Sequence, residues 1–262
     1  MLISLDIPSS VKEIGQCAFR DANIQSISFE VDSKLKKISG WLFECCWNLN
    51  SIEIPKTIEE IATCAFVNSG LQSITFAPDS HLKIISDSAL EGCRKLSSIC
   101  FPPTLESLGR CVLRMSSVSS ISFMPNSKLT KISPYAFQSC RHLRSIIIPP
   151  SLEIVGSFAF SNSFLSTIVF SADSTLREIQ ASAFEECRAL ISVELPSSLE
   201  EIGHSAFQEN DQLRFVLFGL DSKLRRVSSS AFRGCPKLQP IKYPRPIEIN
   251  FEENEDDDAE WE

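Results

Sequence analysis

Five copies of an apolar-Pro pair, each 47 residues after the last, constrain this chain more than any other feature: Ile7-Pro8, Ile54-Pro55, Phe101-Pro102, Ile148-Pro149 and Leu195-Pro196. Each 47-residue block divides into halves of about 23 and 24 residues that carry the same apolar phrase, most plainly between Ile148 and Glu194. Self-similarity at this period marks a solenoid, in which each coil packs only on its neighbours. The 262 residues, a length that would otherwise suit one large or two ordinary domains, therefore read as one array over residues 1–246. It has about ten coils of 23–24 residues. Residues 247–262 read as a capping strand followed by an acidic tail.

Every half contains Leu-x-x-Ile-x-(Ile/Phe), as at Leu71, Ile74 and Phe76. Apolar residues alternating over the last positions have the period of a strand, with the intervening side chains outward. In five halves a Pro follows and ends the strand, because it cannot donate to a ladder. The other halves turn at Asp32-Ser33, Asp79-Ser80, Asn126-Ser127, Asp173-Ser174 and Asp221-Ser222, whose side chains can bond their own backbone. Leu-x-x-Ile and Ala-Phe-x-x-Cys then cross the opposite side. Ser86, Ser133 and Ser228 suit the cap of one short helical turn there, with Pro134 at the next position. Gly15, Gly109, Gly156 and Gly203 predict tighter corners in the alternate halves. One half buries too few apolar groups to offset the entropy of fixing its backbone, so stability must lie between coils.

The recurring P-x-S-L-x-x-I-x-x-x-A-F-x-x-C-x-x-L-x-x-I-x-I, as in DSTLREIQASAFEECRALISVEL, resembles the repeat of the BspA-like leucine-rich-repeat surface antigens across residues 2–243. The resemblance implies a β-rich, curved leucine-rich-repeat solenoid, with parallel strands on the concave face and short strands and helical turns on the convex side. It also implies adhesion or surface-antigen roles, since the family includes adhesins of bacteria and protozoan parasites.

The net charge of −8 resides in the tail: residues 247–262 hold nine acids and no base, leaving 24 acids against 25 bases in the array. A neutral body argues against nucleic acid, which needs a basic face to exchange counterions. Met1 to Leu5 has no basic n-region, and no apolar run reaches 18 residues. The chain as it stands is therefore read as entering no secretory route and inserting in no membrane. Family resemblance places it at the cell surface, and cytoplasmic placement is the alternative.

Cys46, Cys93, Cys140, Cys187 and Cys235 occupy one register position at intervals of 47, 47, 47 and 48 residues. Coils two apart lie about 10 Å from one another, beyond the roughly 7 Å between Cα atoms that a disulfide permits. This column is read as buried structural thiols, with Asn210 in the equivalent place of an alternate half. Cys17, Cys64 and Cys111 form a second column that Phe158 and Ser205 continue, which argues packing. Cys45 and Cys100 are the thiols expected to be most accessible. His81, His142 and His204 fall at three different repeat positions, the serines have no matching base, and no GxSxG, P-loop or HExxH occurs. The sequence calls for no catalysis, metal or cofactor.

Function is then left to the outward strand positions. Toward the N-terminus they form a hydroxyl ladder that includes Ser26, Ser28, Ser51, Ser73 and Thr75. From Ile147 onward the face turns apolar through Val169, Phe215 and Leu217, with Glu194 and Lys242 as its charges. The repeat does not require this change, which reads either as a candidate protein-binding patch or as drift or a surface covered by the C-terminal segment. The reading is a monomeric, non-enzymatic recognition scaffold for a host or microbial surface protein. The alternatives are an intracellular structural scaffold and a glycan-binding module using the Ser/Thr ladder. Ile247, Ile249 and Phe251 alternate as a final strand would, whereas residues 252–262 are too acidic to pack. Truncation after Asn254 should thus leave folding intact, and truncation after Pro246 should promote aggregation. Light scattering of the two proteins would check this, and equal behaviour would exclude the capping role.

Overall fold

The structure is a computed structural model that describes residues 3–219, 221–244 and 246–249. It is a parallel-strand β-solenoid with no helix among the described residues. One face carries β1 (Ser4–Ile7), β2 (Ser26–Phe29), β3 (Ser51–Ile54), β4 (Ser73–Phe76) and β5 (Ser98–Phe101), continued by β6 (Ser120–Phe123), β7 (Ser145–Ile148), β8 (Thr167–Phe170), β9 (Ser192–Leu195) and β10 (Phe215–Phe218). The far side carries two-residue strands, from Lys37–Ile38 to Glu248–Ile249, stacked in the same order.

The two turn chemistries divide the long-strand face into doublets. β1 and β2 pair over four residues, as do β3 and β4, β5 and β6, β7 and β8, and β9 and β10. Between doublets, only Ser26 and Ser51 are in register. Spacing explains the pattern: Ser4 to Ser26 is 22 residues, whereas Ser26 to Ser51 is 25. After Ile7 the Pro turn reaches the next core residue, Val11, in four steps, and after Phe29 the Asp turn needs six to reach Leu35. Asp32 and Asn126 in these longer turns adopt φ of 63° and 62°, a left-handed conformation that Asp and Asn tolerate better than other side chains.

The crossing that suggested a helical turn is a chain of tight turns forming a third intercoil ladder. Alternate N–H groups point into the next coil: Cys17 donates to the Gly40 carbonyl, Phe19 to Leu42 and Asp21 to Glu44. The residues between close turns on carbonyls three positions back, as Ala18 does on Gly15 and Arg20 on Cys17. This alternation uses left-handed backbone just before most Ala-Phe pairs and before Leu42-Phe43 (Cys17, Trp41, Cys64, Tyr135 and Phe158, φ 55–60°) and again two residues after the Phe. An α-helix cannot form, because half of its N–H groups are committed to the neighbouring coil. At the tighter corners a Cβ on Gly156 would lie 2.6 Å from the Ile132 carbonyl oxygen, so only glycine fits.

Inside, each register position builds a column. Phe137, Phe160, Phe184 and Phe207 stack at centroid separations of 5.1–5.2 Å, and Phe19, Phe43 and Phe66 at 5.7 and 5.3 Å. Leu90 and Leu113 stand between the two stacks and are fully buried. The far side is laced by ion pairs between consecutive coils, including Lys36–Glu59 at 2.7 Å, Lys37–Glu60 at 2.9 Å, Arg177–Glu200 at 3.1 Å and Arg226–Glu201. Being exposed, each contributes about 0–1 kcal/mol. Glu248–Ile249 pairs in parallel with Arg226–Val227 on the same side. Phe251 and the acidic tail fall outside the described residues. Among those residues no helix is long and apolar enough to cross a membrane.

Nearest-neighbour packing predicts a graded cost along the Phe column. Phe160→Ala, which removes two stacking partners from a fully buried site, should destabilise by about 3–5 kcal/mol. Phe19→Ala, at a half-buried position with one partner, should cost clearly less. Urea titration of both variants checks this, and equal losses would contradict it.

Candidate binding face

Three groups of side chains carry whatever chemistry the scaffold has: the inward thiols, the corner residues and the outward strand face. Sγ of Cys46, Cys93, Cys140, Cys187 and Cys235 donates to the backbone carbonyl of Phe19, Phe66, Leu113, Phe160 and Phe207, respectively, at 3.0–3.4 Å. Ser69, Ser116 and Ser163 occupy the rungs between and contact Cys93, Cys140 and Cys187 at 3.3–3.4 Å. Asn210 takes such a rung and donates through Nδ2 to the Phe184 and Phe207 carbonyls at 2.9 and 2.7 Å. Each cysteine of the column and Asn210 thus supplies a donor to a carbonyl that the turn leaves pointing inward, while each serine meets a cysteine sulfur. Desolvation pushes Cys46 and Cys93 up to about 11 and Cys140 and Cys187 up to about 12, from an ordinary 9.0. Cys46, Cys93, Cys140 and Cys187 are buried and Cys235 is half-buried; none is in a disulfide. The described residues contain no cluster of three His, Cys, Asp or Glu that could hold a metal ion.

The second thiol column lies at the left-handed corners, where Cys17 is exposed, Cys64 half-buried and Cys111 buried. Cys100 is exposed on β5, whereas Cys45 is half-buried, its thiol raised by desolvation and by Asp21 and Glu44. Cys17 thus joins Cys100 as an exposed thiol in place of Cys45, because its coil has no neighbour on its outer side among the described residues. One serine does find a histidine, contrary to the sequence expectation: Ser230 Oγ and His204 Nδ1 are 2.9 Å apart. Ser230 Oγ also accepts the Ser205 N–H at 3.2 Å and contacts Ser228 Oγ at 3.0 Å. Among the described residues no carboxylate hydrogen-bonds the imidazole, so the contact lacks there the orienting third group of a hydrolytic triad. It pins adjacent turns.

The outward face has two chemistries. On β1 to β6 its side chains are Ser26, Ser28, Ser51, Ser73 and their neighbours, with Ser28 donating to the Asp6 carboxylate and Asn50 accepting from Gln72. On β7 to β10 Ile147 is aligned with Val169, and Ser192 and Glu194 with Phe215 and Leu217. Ile147 is 66% exposed, Phe215 49% and Leu217 52%. Lys242 lies outside any strand, while its neighbours Ile241 and Tyr243 pack on the core. A cleft of about 520 Å³ opens between β6 and β7, where two doublets meet, lined by Ser120, Ser122, Met124, Ser145, Ile147 and Pro150.

The sequence reading stopped one residue short of the full patch. Immediately before the strands stand Arg144, Ser166, Ile191 and Arg214, with Phe164 beside them. Ile191 is 53% exposed and Phe164 43%, and the Arg144 guanidinium lies 5.1 Å from the Phe164 ring centroid. Gln25, Asn50 and Gln72 hold the first register position in the earlier coils. Tabulating that position along the repeat would have exposed the switch from amides to large and basic groups.

Stacked parallel strands, apolar columns and a buried polar rung in each coil define a leucine-rich-repeat solenoid. The profile of BspA type leucine-rich repeat regions matches the chain in six copies over residues 1–118, 65–175 and 130–253, and the chain belongs to that family. Among solved structures it is similar to the pneumococcal vaccine antigen PcpA, with 20% identity, 94% of this chain and 73% of that chain covered, and a TM-score of 0.55. It is also similar to a leucine-rich-repeat protein from Eubacterium ventriosum, with 21% identity, coverage of 92% and 60%, and a TM-score of 0.58. Thus the chain spans three fifths of the length of the latter. None of the curated protein sequences compared is a significant match.

The buried thiols make a pH prediction. A group whose pKa rises on folding favours the folded state fully below its unfolded value and loses that contribution as pH climbs through the folded value. Stability should therefore hold to about pH 9 and fall between about pH 9 and 12, less steeply in Cys140→Ser with Cys187→Ser. Thermal melts across that range check it. Alkylation without denaturant should mark Cys17 and Cys100 first, and neither reductant nor chelator should lower the Tm.

Proposed function

We propose that this chain is a non-enzymatic protein-recognition scaffold, with an adhesion or surface-antigen role, whose partner docks on the long-strand face of β7 to β10. The observation that supports it is the exposure of Ile147, Val169, Phe215 and Leu217 at positions that carry mostly hydroxyl groups in the preceding coils. Large apolar side chains held out by a rigid ladder gain by being covered, and a well-seated aromatic anchor contributes on the order of 2 kcal/mol to an interface. Family membership and the resemblance to a vaccine antigen support placement on a cell surface. A glycan reading has one observation of its own, the uncharged amide and hydroxyl array of Gln25, Ser26, Asn50, Ser51, Gln72 and Ser73.

Photo-crosslinking from position 215, followed by affinity measurement on the purified crosslinked protein, tests the reading. Phe215→Ser with Leu217→Thr should weaken binding about thirtyfold, the equivalent of about 2 kcal/mol, with Tm unchanged. Ser26→Ala with Ser28→Ala should change it little. The reverse pattern would move the site to the hydroxyl half, and partner binding that survives enzymatic deglycosylation would exclude the glycan reading.

A further inference from the structure

The bases of this solenoid are not distributed evenly among partners. On the far side several are paired between coils, as Lys36 is with Glu59 and Arg177 with Glu200, while Lys83 and Lys131 there make no ion pair among the described residues. Along the N-terminal margin of the apolar patch, Arg188 is paired with Glu186 and Asp211. Arg144 and Arg214 are exposed there and make no ion pair among the described residues. They mark the first and last of four consecutive coils, at the position just before β7 and β10. Three coil steps separate them by about 15 Å. Exposed Ile191 holds the same position in the third of these coils, and exposed Phe164, under the Arg144 guanidinium, stands two residues before it in the second.

We propose that this margin recognises an extended acidic segment of a partner protein, with two carboxylates four residues apart and an aromatic or aliphatic residue midway. This deepens the recognition role and rests on it. Residues i and i+4 of an extended chain lie about 13 Å apart on one side, with i+2 between them. One carboxylate meets the Arg144 guanidinium and the other that of Arg214, while the middle side chain settles on Phe164 and Ile191. Arginine suits this task because its planar fork takes a carboxylate through two parallel hydrogen bonds. The apolar floor between the charges excludes water from both pairs. Glu194, the acid inside the patch, lies two strand positions in from the arginine line and disfavours a segment shifted further across the face.

The probe is a fluorescein-labelled peptide, Gly-Ser-Glu-Ala-Phe-Ala-Glu-Ser-Gly, compared by fluorescence anisotropy with versions carrying Lys for both Glu or Ser for Phe. The Glu/Phe peptide should bind at least tenfold more tightly than either, and binding should weaken as salt rises. Arg144→Glu with Arg214→Glu should reverse the preference toward the Lys/Phe peptide, and Arg144→Gln with Arg214→Gln should erase it, both with the Tm retained. Equal binding of the Glu/Phe and Lys/Phe peptides, or binding of neither, would overturn the inference. Applied to the crosslinked partner, the same variants separate the two proposals. Loss with Phe215→Ser and Leu217→Thr but indifference to the arginine changes sinks the acidic segment alone, whereas indifference to the Phe215 and Leu217 changes sinks the patch itself.

Discussion

The backbone of each coil is satisfied by the next coil, and the rest of the architecture depends on that dependence. Three ladders carry it: the four-residue strands, the two-residue strands on the far side, and the alternating turn between them. A coil taken alone leaves one line of donors and one of acceptors open on every ladder. Burying unpaired peptide groups costs more than a typical hydrogen bond returns, so coils cannot drift apart or slip by one residue without large loss. The left-handed residues that the turn requires are tolerated for the same reason. Their strain is local, while the bonds that repay it recur along the whole stack.

The thiol column follows from this constraint. A turn that sends alternate N–H groups to the next coil also aims carbonyls inward, where no water reaches. A short side chain with a proton to give must meet each one. Cysteine and asparagine do so here while serine meets the neighbouring sulfur, which is why the position accepts chemically different residues and why five of the cysteines recur at a fixed spacing. Cysteine suits such a place because it packs as a small apolar side chain while its S–H still donates weakly.

Rigidity of the stack turns the outward positions into a fixed array. The side chains of one register position keep a spacing set by the strands, so a change of residue type along the face reads as a change of surface chemistry over tens of ångströms. The array passes from hydroxyls and amides to aliphatic and aromatic groups at β7, where a cleft already separates two doublets. Several bases on the far side, Lys36, Lys37, Arg177 and Arg226, are held in intercoil ion pairs. Arg144 and Arg214 stand free of such pairs beside the apolar groups, and the surface thereby has both an apolar centre and a charged margin.

The 47-residue recurrence determined the solenoid, the parallel strands, the inward and outward sets and the inward thiol register, because alternation and strict spacing are properties of sequence that survive into three dimensions. The doublets were latent in the difference between the Pro and Asp turns, yet their consequence, a face broken into pairs with a cleft between β6 and β7, needed coordinates. The Ala-Phe crossing was misread as helical. Its left-handed corners hold Cys, Trp, Tyr, Phe and Ser, residues with no local preference for that conformation, and only hydrogen bonds to a coil some 23 residues away impose it. Exposure of Phe164 and Ile191, the Ser230–His204 contact, and the pairing of some arginines but not others were likewise decided by tertiary structure. Each depends on which side chain of a neighbouring coil lies within reach, and a repeat pattern fixes positions without fixing those partners.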